Sequence, residues 1–343
     1  MDVPAPQRIL VVRLSHLGDV VHGVPVLHAL RAAHPDARLG WAIQGEFADL
    51  IRPLEGLERV FLFDRRGGLG AWLRLRRELR AWRPDWSVDA QGNTKSAAVA
   101  WCAGARARFG LAPQDWQERL GARFLTHPAP PSYGSHVVHR TRALLERAAP
   151  DAGTSFDLEV SPAERAAGDG ALTRLVGPAE DGRRPLWVLC LATEGDPRSW
   201  PADRFARLAG RLADGGGRVL LLSGPDEAGE GARLERELPE RPDVAHWVGQ
   251  RGLRELAGLF AAAAARGARV VACDSGPCHI AAACGAGVDL LAGPQDPRRS
   301  GPWPPPGPGS PHRWLTAASS PGPIEELTVD AVAAELLGPD PAA

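Results

Sequence analysis

Four short polar segments follow predicted β-strands and carry residue types that could bind or transform an anionic ligand. They span residues 15–19, 89–96, 193–201 and 274–279. A carboxylate in such a segment can accept a proton, and a lysine or arginine can hold phosphate oxygens. Because ligands of doubly wound sheets bind outside the carboxyl ends of the strands, these segments are the first candidates for a functional site.

The first segment brings Ser15, His16, Gly18 and Asp19 to the start of a predicted helix. Gly18 permits a tight turn, and Asp19 places a carboxylate at the mouth of the first strand. The residues alone leave two interpretations of Asp19 open. It could cap the helix N-terminus, or it could act as a catalytic carboxylate.

The second segment contains Gln91 and Lys95, and Lys95 is the single lysine of the chain. It lies beside a predicted helix N-terminus, which attracts anions, although a solvated lysine at a helix start is an equally ordinary interpretation. The spacing is not that of a Walker A loop, and the chain has no Gly-x-Gly-x-x-Gly sequence. Kinase and dehydrogenase functions are therefore disfavoured.

The third segment contains Thr193 and Arg198 and leads into a helix with Pro201 near its first turn. The planar guanidinium of Arg198 can present two parallel donors to phosphate oxygens. The segment is therefore predicted to bind a phosphate group.

The fourth segment contains Asp274, Ser275, Gly276 and His279. Gly276 allows a phosphate to approach the backbone, and the N–H groups near residues 276–279 and the helix dipole favour its charge. Two phosphate-binding loops in one half of the chain predict a diphosphate ligand. For His279, a histidine packed at a helix start is the alternative interpretation.

The elements that position these segments alternate between strand and helix through both halves of the chain, which predicts two doubly wound α/β domains. Predicted strands in the first half cover residues 8–13, 38–43, 59–63, 86–89 and 107–111. Those in the second half cover residues 186–191, 218–222, 268–272 and 288–291, and a last amphipathic helix is predicted near residues 324–337.

The stretch 150–185 is rich in Pro, Gly, Ala and charge and is predicted to contain the domain boundary. We assign residues 1–160 to the first domain and 161–185 to a linker with a short helix inside it. Residues 186–325 form the second domain, and residues 326–343 form a C-terminal helix and tail.

Composition narrows the possible partners. The chain of 343 residues carries 40 basic and 41 acidic side chains, a balance that argues against nucleic acid as the main partner. The five cysteines form no Cys-x-x-Cys pair, so neither a zinc site nor a disulfide framework is indicated. Without a signal peptide or an 18-residue apolar stretch, the sequence predicts a cytoplasmic protein, with peripheral contact to a membrane left open.

The four segments, in this order and at these separations, resemble those of the heptosyltransferases of glycosyltransferase family 9, which add heptose to the inner core of lipopolysaccharide. Residues 9–22, 89–97, 136–142, 198–201, 274–282 and 293–297 carry the resemblance. The Asp-Ala-Gln-Gly…Lys-Ser segment is most like that of the members acting on the acidic sugar Kdo. One departure is Arg198, where many relatives have lysine.

The resemblance implies a GT-B fold, in which two Rossmann-like domains face each other across a cleft, with the acceptor on the first domain and the nucleotide sugar on the second. It implies that Asp19 is the general base of an inverting transfer from ADP-heptose to a lipid-linked saccharide. The remaining implied roles fall into two groups. Donor-binding residues are Thr193, Arg198, Asp274, Ser275, Gly276 and His279, and acceptor-binding residues are Ser15, His16, Gly18, Gln91 and Lys95, with Arg13 and Arg65 as weaker candidates. The leaving group is already a good one, so no metal cofactor is required and Mg²⁺ is at most a stimulant.

Three other functions stay open from the sequence. The chain could transfer another sugar or use a different acceptor, it could bind nucleotide sugars without catalysis, or it could be an epimerase of the same fold. A run of arginines at positions 74, 76, 77, 80 and 83 is interpreted as the solvated face of a helix, with contact to an anionic membrane surface as the alternative.

Overall fold

The computed structural model describes residues 4–116, 118–179, 184–193, 195–225, 227–237, 241–248, 252–317, 319 and 321–338. The chain divides into two compact units, Met1–Glu159 and Val160–Ala343. No helix in the described part of the chain is both long and apolar enough to cross a membrane. The five cysteines are free thiols.

The first unit is a six-stranded parallel sheet of order β3-β2-β1-β4-β5-β6. The strands are β1 (Arg8–Val12), β2 (Arg38–Gln44), β3 (Leu57–Phe63), β4 (Trp86–Asp89), β5 (Ala107–Gly110) and β6 (His127–Pro128). The helices are α1 (Leu17–Ala33), α2 (Ala48–Ile51), α3 (Gly68–Trp82), α4 (Thr94–Cys102) and α5 (Val137–Ala148). Strands β1 and β2 are almost wholly buried, as expected of central strands covered on both faces.

The second unit is also a six-stranded parallel sheet, of order β12-β11-β10-β7-β8-β9. The strands are β7 (Leu186–Cys190), β8 (Arg218–Ser223), β9 (Val244–Val248), β10 (Arg269–Cys273), β11 (Gly287–Ala292) and β12 (Arg313–Thr316). The helices are α6 (Pro162–Val176), α7 (Ala202–Asp214), α8 (Ala228–Glu237), α9 (Leu253–Ala265), α10 (Gly276–Ala283), α11 (Pro297–Ser300) and α12 (Val329–Leu337).

Both sheets have the strand order of the Rossmann fold, and this order places the candidate segments. Counted within each unit the order is 3-2-1-4-5-6, so the winding reverses between β1 and β4 in the first unit and between β7 and β10 in the second. The loops after these four strands are the four polar segments of the sequence. The fold therefore brings the segments together in pairs at the two switch points, where such sheets bind ligands.

The segment interpreted as a linker, residues 161–185, contains the well-packed helix α6, which belongs to the second unit. It packs tightly on α9, since a Cβ atom added at Gly168 would lie 2.3 Å from the carbonyl oxygen of Gly258. Helices that approach this closely need glycine and alanine at the contact, and this composition is what made the segment resemble a linker.

The structure also differs from the sequence prediction near the C-terminus and in three strands. Strands β6, β9 and β12 were not predicted, because each is short and lies toward an edge of its sheet. The last helix is divided into a 3₁₀ turn at Ile324–Glu326 and α12, and Val332 and Leu336 of α12 lie in the core of the second unit. The predicted C-terminal helix is thus part of the second unit's core, and residues 339–343 lie outside the described residues.

A buried carboxylate ties the last three strands of the second sheet together. Asp289 lies inside β11 and accepts hydrogen bonds from Arg269 of β10 at 2.7 and 2.6 Å and from Arg313 of β12 at 2.5 Å. Asp289 and Arg313 are also direct partners in the strand register. Two arginines therefore compensate one charge that has no access to solvent.

Candidate active site

The loops after β1 and β4 are joined by the side chain of Gln91. Its Oε1 accepts a hydrogen bond from the backbone N–H of Leu14 at 2.6 Å, and its Nε2 lies 3.5 Å from Oγ of Ser15. Both loops are therefore fixed relative to each other. Two of the predicted acceptor-binding residues, Ser15 and Gln91, meet at this switch point although they are distant in sequence.

Asp19 lies in the first turn of α1, at the same switch point. His16 occupies the N-cap position and Asp19 the third helical position, where its carboxylate accepts from the backbone N–H of His16 at 3.4 Å. Asp19 therefore supports the helix N-terminus from inside the first turn rather than from the cap itself. Its side chain stays 37% exposed, so a substrate hydroxyl can still approach the carboxylate.

The buried guanidinium of Arg13 holds this carboxylate in place. Its NH2 group lies 2.5 Å from Oδ1 of Asp19, Nε donates to the Asp19 carbonyl at 2.9 Å, and NH1 donates to the carbonyl of Ala90 in the loop after β4. The sequence marks Arg13 only weakly, because its reach to the neighbouring loop follows from the strand order. Arg13 links both loops of the switch point through one cation.

The surroundings of Asp19 favour its ionised form. Burial opposes ionisation, but the charge of Arg13, hydrogen bonds from His16 and the nearby His22 outweigh it and hold the pKa of the Asp19 carboxyl well below its usual range. His22 is buried one helical turn farther on, with its ring 5.7 Å from that of His136 at the N-cap of α5. Asp19 is therefore an anion at neutral pH.

A second, fully buried carboxylate shapes the loop after β4. Oδ1 of Asp89 accepts the N–H groups of Gln91 at 2.9 Å and Gly92 at 3.0 Å, and Gly92 has the left-handed φ of 77° that this turn requires. Burial raises the pKa of Asp89 to about 6, although these backbone hydrogen bonds and the charge of Arg13 act in the opposite direction. Asp89 presents Gln91 to the first loop and stays out of contact with solvent.

Lys95 occupies the second position of α4 and is exposed, and its ammonium forms no hydrogen bond or ion pair with the residues that the structure describes. Side chains of the protein already occupy part of the helix N-terminus at which an anion was expected. The carboxylate of Glu118 accepts the N–H of Thr94 at 3.0 Å, and Asn93 and Ser96 form a capping box. Lys95 thus offers an exposed charge, and the backbone N–H groups beside it are partly occupied by the protein's own side chains.

An arginine-lined cavity of about 840 Å³ opens in the first unit near the carboxyl ends of β2 and β3. Its basic side chains are Arg52, Arg65, Arg66 and Arg74. Its acidic lining residues are Glu46, Asp64 and Glu78. The sequence suggested Arg65 as an acceptor-binding residue and Arg74 only as part of the arginine run, because Arg52, Arg65 and Arg74 lie on different elements that the fold brings together.

In the second unit, Arg198 joins the loops after β7 and β10. Its NH1 lies 3.4 Å from the carbonyl oxygen of Asp274, while Nε and NH2 form a two-pronged ion pair with Asp196 at 2.9 and 2.6 Å. This pair raises the pKa of Arg198 and lowers that of Asp196. Arg198, the predicted phosphate-binding cation, thus lies at the switch point, and its Nε and NH2 groups are occupied by the carboxylate of Asp196.

Asp274 and His279 form a second pair at this site. Nε2 of His279 lies 3.1 Å from Oδ1 of Asp274, and Oγ of Ser300 lies 3.5 Å from Oδ2. His279 is buried, as the alternative interpretation expected, and its contact orients the carboxylate of Asp274. Ser300, at the end of α11, was not among the sequence candidates, because only the fold brings it to this loop.

The backbone at residues 276–279 offers fewer donors than expected. Ser275 is the N-cap of α10, Pro277 has no N–H, and the N–H of His279 is the first that can bond back within the helix. Among the residues that the structure describes, the turn therefore leaves the N–H groups of Gly276 and Cys278 without a partner inside the helix. They still point out of the helix N-terminus, where the dipole favours an anion.

Thr193 lies in the loop after β7 and donates from Oγ1 to Glu227 at 2.6 Å. The other oxygen of Glu227 accepts the N–H of Gly224, which follows β8, at 2.9 Å. Glu227 was not recognised in the sequence, since nothing nearby marks it. It fixes the Thr193 loop to the neighbouring strand end, and the adjacent residue 194 lies outside the described residues.

Two Rossmann-type units with polar loops at both switch points are typical of glycosyltransferases of the GT-B class, and the predicted fold class is confirmed. A family model described as "Glycosyltransferase family 9 (heptosyltransferase)" matches residues 72–306. The chain belongs to this family of glycosyltransferases.

Individual relatives agree with this assignment. The chain is 30% identical to lipopolysaccharide heptosyltransferase 1 of Pseudomonas aeruginosa over 86% of its own length and 81% of the relative's. It is 28% identical to lipopolysaccharide heptosyltransferase 1 of Escherichia coli K12, over 84% and 89% of the two chains.

Solved structures give the same result. The E. coli heptosyltransferase WaaC with ADP superimposes with a TM-score of 0.70 and 26% identity over 95% of each chain. A family 9 glycosyltransferase from Veillonella parvula matches with a TM-score of 0.77 at 21% identity, over 96% of this chain and 97% of that one, which supports the fold alone. The resemblance drawn from the four segments is confirmed at the level of the family, and the roles of single residues stay predictions.

Proposed function

We propose that the protein is an inverting glycosyltransferase that moves heptose from ADP-heptose to the Kdo of a lipopolysaccharide inner-core acceptor. The observation that carries this proposal is the carboxylate of Asp19, which lies accessible at the switch point of the first unit and is kept ionised by Arg13. The likeness to heptosyltransferases 1 over most of the chain supports the choice of donor and acceptor.

In the proposed reaction a hydroxyl of the acceptor attacks the anomeric carbon of heptose from the face opposite ADP. The new carbon–oxygen bond forms as the bond to the diphosphate breaks, so the configuration inverts, and Asp19 receives the hydroxyl proton. A carboxylate of low pKa is a weak base toward a free hydroxyl. Proton transfer therefore comes late, after bonding to carbon has made the hydroxyl acidic.

The donor side must stabilise the charge that develops on the departing ADP. We assign this role to Arg198 and to the N–H groups of Gly276 and Cys278, with Asp274 facing the hydroxyls of the sugar. A well-aimed donor of this kind contributes about 3 kcal/mol in the transition state. The diphosphate takes the place of Asp196 in the fork of Arg198, because both offer oxygens to the same N–H groups. No metal cofactor is required in this scheme, and Mg²⁺ would at most stimulate the reaction.

The acceptor side requires cations, since Kdo carries a carboxylate and lipid A carries phosphates. We assign Ser15, His16, Gly18 and Gln91 to the attacking sugar and Lys95 to its anionic groups. The arginine-lined cavity supplies additional positive charge in the same unit. We place the enzyme on the cytoplasmic side of the membrane, where a nucleotide sugar and a lipid-linked acceptor meet.

The direct test is a transfer assay with purified protein, ADP-heptose and Kdo-lipid A, with product mass measured by mass spectrometry. A product heavier by one heptose, with release of ADP, supports the proposal. Transfer from other nucleotide sugars at equal efficiency would contradict the donor assignment. Binding of ADP-heptose by calorimetry with no turnover over an acceptor panel would instead identify a silent nucleotide-sugar binding protein.

A further inference from the structure

An exposed apolar patch lies on the first unit, at the end of α4 and on the turn that follows Glu118. Trp101 at the end of α4 is 52% exposed, Leu120 in the 3₁₀ turn Arg119–Phe124 is 67% exposed, and Phe124 is 42% exposed. The rings of Trp101 and Phe124 lie 5.8 Å apart, so the two elements form one surface. Large apolar side chains clustered on a surface mark an interaction site more often than isolated ones do.

Helix α3 extends this patch. Leu73 is 51% exposed and lies one turn from Arg76 on the side of the helix that faces α4. The contact between the helices is direct, because Nε of Arg80 donates to the carbonyl of Cys102 at 2.8 Å. Arg74 and Glu78 point the other way, into the arginine-lined cavity. We call the surface formed by Leu73, Arg76, Trp101, Leu120, Arg123 and Phe124 the basic–apolar face.

The stretch of chain that carries this face is rich in positive charge. Residues 68–124 contain ten basic and five acidic side chains, and one of the five, Asp89, is buried. The acidic residue nearest to the 3₁₀ turn, Glu118, accepts the backbone N–H of Thr94. Basic side chains therefore outnumber acidic ones two to one in this stretch, and Arg76 and Arg123 of the face are exposed.

The two units also differ in net charge. The first unit has 21 basic and 17 acidic side chains, a net charge of +4, whereas the second has 19 and 24, a net charge of −5. The near-neutral total of the chain conceals this separation. A charge difference between halves of a chain is a sign of contact with a polyanion or an anionic surface.

We infer that the basic–apolar face docks on the surface of an anionic lipid bilayer. Trp, Phe and Leu insert into the interface between headgroups and acyl chains, and flanking arginines are attracted to anionic headgroups, which is the composition of this face. The inference stands on the surface alone and does not depend on which sugar the protein transfers.

Flotation of the full chain with lipid vesicles tests the inference. We expect binding to vesicles of phosphatidylethanolamine and phosphatidylglycerol that weakens as salt is raised, and little binding to phosphatidylcholine alone. The double variant Arg76→Gln/Arg123→Gln should lose about fivefold in partition coefficient for each arginine. The double variant Trp101→Ser/Leu120→Ser should lose about tenfold or more.

Matched controls change the same residue types elsewhere on the surface. Arg147→Gln/Arg174→Gln removes two exposed arginines, and Tyr133→Ser/Leu337→Ser removes two exposed apolar side chains. Both controls should float like the unmodified protein. All altered side chains are exposed, and thermal melting checks that each variant is folded.

Three outcomes would overturn the inference. They are failure to bind the anionic vesicles, equal binding by the face variants and their controls, and a protein dimer in lipid-free solution that Leu120→Ser dissociates. The last result would show that a second copy of the chain covers the face. Activity on a soluble, deacylated acceptor should be unchanged in the face variants, so a failure of the proposed transfer reaction is distinguished from a failure of docking.

Discussion

At the switch point of the first unit the buried guanidinium of Arg13 reaches across to the neighbouring loop, whereas at that of the second unit Arg198 turns back onto Asp196 in its own loop. The side chain of Arg13 is 5% exposed and that of Arg198 is 41% exposed. A buried guanidinium that is hydrogen-bonded to both loops is held firmly by its surroundings, while a half-exposed guanidinium exchanges its partner at little cost.

This difference matches the tasks proposed for the two sites. A catalytic carboxylate needs a fixed direction and a fixed charge before the substrate arrives, and the Arg13–Asp19 pair provides both. A diphosphate site must accept a highly charged ligand and release it again as product. A guanidinium that carries a replaceable carboxylate suits this exchange, because Arg198 is never left without a counter-charge.

Removing the fixed carboxylate should have the largest effect. We expect Asp19→Ala to lower kcat for heptose transfer about 10²–10⁴-fold, since a positioned general base contributes that much. The KM for ADP-heptose should change little. The measurement is initial-rate kinetics on folded protein, with the exposed Asp36→Asn as the control for loss of one negative charge. A folded variant with near-full activity would show that Asp19 is not the base.

Replacing Arg198 and replacing Asp196, the two partners of the exposed ion pair, should have opposite effects on binding of the donor. Arg198→Gln should lower kcat/KM for the donor about 10²-fold, through loss of charge stabilisation at the diphosphate. Asp196→Asn leaves the guanidinium in place and removes its competitor, so it should bind ADP as tightly as the unmodified protein or more tightly. Calorimetric titration with ADP compares the two variants. Equal weakening in both would mean that Asp196 positions Arg198 and does not compete with the ligand.

Asp89 holds the loop after β4, and its raised pKa predicts that the stability of the protein depends on pH. Its pKa in the folded protein is raised from 3.8 to about 6, so the folded state binds its proton more tightly than the unfolded state does. This contribution to stability is complete below pH 4 and is lost as the pH rises through about 6. Asp89→Asn keeps an oxygen acceptor for the backbone and removes the buried charge.

The melting temperature of Asp89→Asn relative to the unmodified protein should therefore increase between pH 4 and pH 7. The expected gain is up to about 2 kcal/mol in the free energy of unfolding. Parallel melting curves at all pH values would contradict the assignment of a raised pKa.

The smallest effect is expected in the second unit, at the start of α6. Hydrogen bonds from Arg254 and Ser161 outweigh burial and lower the pKa of Glu164 to about 2, so the stability it contributes is present above pH 4.5 and is lost as the pH falls toward 2. Glu164→Ala should cost about 1–2 kcal/mol at pH 7 and less near pH 2, measured by denaturant unfolding. The exposed Glu146→Ala on α5 is the control. No loss of stability would imply that α6 behaves as the linker that its composition suggested.

The sequence was sufficient to predict the alternation of elements and the polar loops, because both are local patterns. It was not sufficient for the contacts between loops. The bonds from Arg13 to Ala90 and from Thr193 to Glu227 depend on which strands are neighbours, and strand order leaves no local signal. Lys95 shows the same limit, since the carboxylate that occupies its helix start comes from Glu118, beyond the end of α4.

The strands tied together by Asp289 also determine where the C-terminal segment begins. A slip of β12 by one residue would turn Arg313 to the opposite face and leave the buried carboxylate of Asp289 with one partner fewer, so a single alignment of the edge strand is strongly preferred. The chain continues from β12 to Leu327, whose carbonyl accepts the indole N–H of Trp200 at 2.7 Å. Trp200 is two residues from Arg198, so the segment that follows the edge strand also anchors the loop that holds this arginine.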